Sequence, residues 1–136
     1  MKLKKSAATA AVVALSALMP LGLATPADAV LASGCSASSS YPYTDNTYVY
    51  ASATATCNAT AGPKIIYVKV TIQEDFLGWW TRSSAEKGSA GTRSLSVSTK
   101  YYCNGHGTDT YKSTVDAKTY GGGTTFSSNG YPSLTC

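Results

Sequence analysis

Residues 64–73, KIIYVKVTIQ, constrain this chain more than any other stretch. Ile66, Val68, Val70 and Ile72 alternate with Tyr67, Lys69, Thr71 and Gln73, and a period of two puts the two sets on opposite faces of a strand. Four β-branched side chains on one face need a second sheet, or the rest of a barrel, to cover them. Two further segments repeat the pattern. In 47–57, Val49, Ala51, Ala53, Ala55 and Cys57 share a face against Tyr48, Tyr50, Ser52, Thr54 and Thr56. In 93–103, Leu95, Val97, Thr99, Tyr101 and Cys103 do so. These three apolar faces form the expected core.

Turn chemistry divides the remainder. Tyr41-Pro42-Tyr43-Thr44-Asp45-Asn46, residues 58–63, the acidic pair Glu74-Asp75, Asn104-Gly105-His106-Gly107 and Gly121-Gly122-Gly123 all read as turns, and the Gly/Ser content of 85–91 reads as a loop. Strands are expected over 76–83, over 109–120 and from 124 to the C-terminus, with 30–40 as a loose arm held by Cys35. No segment combines helical periodicity with caps. Six or seven short strands separated by turns predict an all-β fold, a single antiparallel β-sandwich of Ig-like type.

Residues 1–29 have the parts of a secretory signal peptide: Lys2, Lys4 and Lys5, an apolar run broken by Pro20, and a small-x-small site at Ala27-Asp28-Ala29. Residues 30–136 then form one exported domain. Removing the leader takes three lysines and Asp28 with it, so the net charge falls from +4 to +2. The remaining cations are dispersed, which argues against a nucleic-acid partner, and no later run suits a membrane.

Cys35, Cys57, Cys103 and Cys136 all lie in the exported part, and an even count in a small exported domain reads as two disulfides. Three pairings are possible. Cys35–Cys57 with Cys103–Cys136 is favoured, because each closes a moderate loop between neighbouring strands. Zinc ligation is disfavoured by the lack of a CxxC pair and by a single histidine, so no metal or cofactor is expected.

Several residues could carry chemistry, and most have a plainer role. His106 has only Asp109 as a nearby acid and reads as a solvated turn residue. Glu74 and Asp75 are adjacent, so on a strand they cannot aim at one bond, and a polar hairpin tip is the simpler reading. Trp79-Trp80 is different. One indole should enter the core while the other faces out, where an exposed tryptophan marks recognition. Arg82 shares the face of Trp80, and Trp79, Trp80 and Arg82 make the first candidate binding surface. Tyr41 and Tyr43, with Tyr48 and Tyr50, make the second.

The sequential four-cysteine plan, Val68-Lys69-Val70 running into Glu74-Asp75, and a Gly105-His106-Gly107 turn before a tyrosine-bearing strand resemble small exported actinobacterial β proteins. Among named families the chain is most similar to the tendamistat-type α-amylase inhibitors. That family's Trp-Arg-Tyr triplet between the first two cysteines is missing, Tyr41-Pro42-Tyr43 standing in that loop, and the third cysteine falls later. The resemblance therefore implies a tendamistat-like sandwich and does not carry amylase inhibition with it.

The expected function is a secreted, non-enzymatic binding module for an extracellular protein partner, as an inhibitor or a component of an exported assembly. The alternative is a carbohydrate-binding protein that stacks polysaccharide on exposed aromatics. A small secreted hydrolase or toxin comes third, since acid, base and nucleophile do not converge.

Overall fold

The computed structural model describes residues 30–136. The signal peptide expected at 1–29 lies outside the described residues. Among the described residues, nine antiparallel strands form two sheets. In the first, β1 (Cys35–Ser39) and the short β2 (Tyr43–Thr44) pair with one edge of β3 (Tyr48–Cys57), and β6 (Ser94–Tyr102) pairs with the other. In the second, β5 (Trp79–Thr92), β4 (Ile65–Asp75), β7 (Thr108–Thr119) and β8 (Thr124–Asn129) follow in that order, and β9 (Ser133–Thr135) pairs with the start of β7. The result is the expected sandwich.

The core is made where the alternation places it. Val49, Ala51, Ala53, Ala55 and Cys57 of β3 pack with Val68, Val70 and Ile72 of β4 and Tyr111, Val115 and Ala117 of β7, all buried. Small alanines on one sheet face larger side chains on the other, a way for two pleated surfaces to fill their shared space. Ser113 and Asn129 donate to the backbone carbonyls of Ser40 and Ser39, joining the β1 end to the second sheet.

Four expectations change in the structure. Ile65, not Ile66, fills the first core position of β4, because a register shift between Ile65 and Tyr67 reverses the side-chain alternation there. Residues 85–91 are strand: β5 runs through them as an edge strand held by backbone pairing to β4, with side chains that are mostly exposed. Most of 30–40 is also ordered pairing, with β1 in register along β3. The C-terminal segment divides into β8 and β9 around Gly130, whose φ is +58°.

Both disulfides pair as expected. Cys35–Cys57 links directly opposite residues of β1 and β3, and Cys103–Cys136 ties the end of β6 to the C-terminus. With sequence separations of 22 and 33, loop entropy gives each roughly 3–4 kcal/mol of stabilisation.

Candidate functional site

The β4–β5 hairpin positions the first candidate surface. Its turn is Phe76-Leu77-Gly78, so the strand expected from residue 76 starts only at Trp79. The Phe76 amide donates to the Gly78 carbonyl at 2.8 Å, and the Gly78 amide donates to the Asp75 carboxylate at 3.3 Å. Gly78 has φ +125°, a backbone region that glycine tolerates and other residues do not. Leu77 also has positive φ, +56°, and is 95% exposed. A leucine held in the left-handed region costs on the order of 1–2 kcal/mol, and here no burial offsets it.

Neither indole enters the core, contrary to the expectation that one would. Trp79 is 37% exposed and Trp80 57%, with Phe76 at 63%. Trp79 faces outward from the second sheet, packs on Tyr131 with ring centroids 5.4 Å apart, and carries the Lys112 ammonium 4.2 Å from its own centroid. Trp80 donates its indole N–H to the Phe76 carbonyl at 2.8 Å, which bridges the turn. Phe76, Leu77, Trp79 and Trp80 thus form one apolar hairpin tip.

Behind the tip lies a polar cluster. Glu74 is not a polar tip residue: it is buried at the end of β4, and two donors compensate it. Arg82 Nε donates to its Oε2 at 2.5 Å, and the Tyr111 hydroxyl donates to its Oε1 at 3.3 Å. The Arg82 guanidinium also lies 6.0 Å from the Tyr101 ring centroid, so this arginine anchors a buried carboxylate as well as bordering the tip. The Asp109 carboxyl is held above the usual carboxylate range, first by burial and then by the negative charge of Glu74. The Tyr111 hydroxyl is pushed up by the same two causes. His106 is exposed in its glycine-flanked turn, and its Nδ1 lies 3.3 Å from the Tyr101 hydroxyl. Glu74, Phe76, Arg82, His106 and Asp109 line a cavity of about 250 Å³.

The second candidate surface has other chemistry. Tyr43 stacks on Tyr50 at 5.2 Å, Tyr50 tilts against Tyr48 at 6.1 Å, and Tyr48 meets the edge of Tyr102 at 5.5 Å. Lys100 caps the Tyr48 ring at 4.3 Å, and the Tyr50 hydroxyl donates to Asp45 at 2.7 Å. Tyr41 stands apart from this row, against the backbone at Gly130.

Sequence reasoning located Trp79, Trp80 and Arg82 but missed Phe76 and Leu77 as parts of the tip. A run of four large apolar residues broken only by Gly78 was the available signal. Asp109 is near His106 in the sequence, but the arrival of Glu74 beside them left no signal, because it joins the end of β4 to the turn before β7 and to β7 itself. No protein-family model matches the chain, and no curated protein matches it.

Proposed function

We propose that this chain is a secreted, non-enzymatic binding module that recognises a protein partner through the β4–β5 hairpin tip. The observation that carries this reading is the exposed apolar run at Phe76, Leu77, Trp79 and Trp80, with Leu77 at 95% exposure and positive φ. Clustered aromatic and aliphatic anchors of this kind supply most of the energy in protein interfaces. Strain held without any internal compensation points the same way. The two disulfides fit an extracellular setting.

One feature of the polar cluster favours binding over catalysis: the neighbour of His106 Nδ1 is a tyrosine hydroxyl instead of a serine or cysteine. In the tyrosine row Tyr43 stacks on Tyr50, so each of these two rings already has one face covered. A tendamistat-type inhibitor would share the sequential disulfide plan. Here, however, the apolar loop lies at β4–β5 and not between the first two cysteines, so amylase inhibition is not carried over to this chain.

The test is capture from the producing organism's culture medium on immobilised, disulfide-intact 30–136, followed by identification of the bound protein. Capture by the native domain and loss with Trp80→Ala supports the proposal. Equal capture by a folded Trp80→Ala domain, or retention on polysaccharide alone, overturns it.

A further inference from the structure

We propose that Glu74, His106 and Asp109 form a binding site for one divalent metal ion, Zn²⁺ by its donor set. One ligand atom from each residue lies within 4.8 Å of the other two. Two carboxylates and one imidazole match the mixed nitrogen and oxygen ligands that zinc accepts, and three protein ligands leave a fourth position for water or a partner group. The donors come from three places in the chain, so only the folded state assembles them.

The supporting contacts are those of a ligand set already oriented. The Arg82 guanidinium and the Tyr111 hydroxyl fix the buried Glu74 carboxylate. Tyr101 sits at Nδ1 of His106, which leaves Nε2 as the nitrogen for an ion. Outer hydrogen bonds of this kind hold metal ligands in place and set the imidazole tautomer. Backbone contacts also hold the histidine turn: the His106 amide donates to the Cys103 carbonyl at 2.9 Å, and the Cys136 amide donates to the Gly107 carbonyl at 2.8 Å. That turn is thereby tied to the Cys103–Cys136 disulfide.

Charge and space agree with this assignment. Glu74 and Asp109 bring two carboxylates within 4.8 Å of each other, a repulsion that a bound cation relieves. The cavity of about 250 Å³ over these residues admits an ion and its water. His106, exposed and on a glycine-flanked turn, is the residue with room to adjust to zinc–ligand bonds of about 2.0–2.2 Å. The site revises the expectation of no metal, which rested on cysteine spacing and on a single histidine. It does not depend on the hairpin-tip reading.

The experiment is titration of disulfide-intact 30–136 with Zn²⁺ by calorimetry, with imidazole resonances followed in parallel by NMR. Since the chain has one histidine, those resonances report on His106 alone. Saturable binding of one ion, perturbed His106 resonances and a loss of at least tenfold in affinity for both His106→Ala and Asp109→Asn are expected. His106→Ala alters an exposed turn, so its circular dichroism should match the native domain. Absence of saturable binding, or affinity unchanged in both folded variants, overturns the site.

Discussion

The hairpin tip and the tyrosine row both expose aromatic rings, but they differ in what the rings touch. Tyr43, Tyr48, Tyr50 and Tyr102 form a chain of ring contacts closed by Lys100 and Asp45. At the tip, Leu77 is almost fully exposed, and Trp80 keeps over half of its surface open after its one hydrogen bond to Phe76. Exposure alone therefore does not distinguish a binding surface from a decorated sheet face. Unmet contact does: the tyrosines, like Trp79 on Tyr131 and Lys112, are already partnered within the fold, while Leu77 and Trp80 offer apolar area that the fold does not use.

The contrast can be broken by substitution. The largest effect is expected from Trp80→Ala, which should weaken partner binding by about 2 kcal/mol, roughly thirtyfold, in surface plasmon resonance. Its thermal midpoint should stay close to that of the native domain. Tyr50→Ala should do the reverse. Loss of its contacts with Tyr43, Tyr48 and Asp45 should lower stability in urea titration, with partner affinity unchanged. Should Tyr50→Ala instead abolish binding in a folded domain, the assignment of the two surfaces is inverted.

A smaller effect is expected from Leu77→Gly. Glycine adopts positive φ without strain, so unfolding free energy should rise by up to about 1 kcal/mol. A measured loss of stability would show that Leu77 packs in solution. The smallest effect belongs to Asp45, whose carboxyl is held below its usual range, first by the Tyr48 amide and then by the Tyr50 hydroxyl and the Thr47 amide. A lowered folded-state pKa stabilises above the unfolded value and is lost as pH falls through the folded one. Asp45→Asn should therefore flatten the acid limb of the stability–pH curve and leave partner affinity at neutral pH unchanged.

What could be read from the sequence follows where burial writes a pattern. The alternation in 47–57 and 64–73 revealed β3 and β4, because each has one face in the core. It misplaced Ile66 for Ile65, since a bulge changes alternation without changing composition. The second half of β5 left no trace, because backbone pairing holds an edge strand whose side chains stay mostly in water. Strand adjacency accounts for Cys35–Cys57, whereas Cys103–Cys136 bridges the two sheets, from the end of β6 to the end of β9. Trp79-Trp80 stood out because adjacent indoles cannot both be buried, and in the structure neither is. Glu74 and Asp109 are 35 positions apart in the chain, and only the pairing of β4 with β7 brings them to one cavity.

Leu77→Gly gives the most direct test of the tip as a contact surface, because its loss of binding cannot be attributed to unfolding. The measurement is the dissociation constant of the captured partner for the native and Leu77→Gly domains, beside their unfolding free energies. The account predicts weaker binding, about tenfold or more, by a domain that is at least as stable as the native one. Unchanged affinity for a protein partner across this substitution and Trp80→Ala would contradict it.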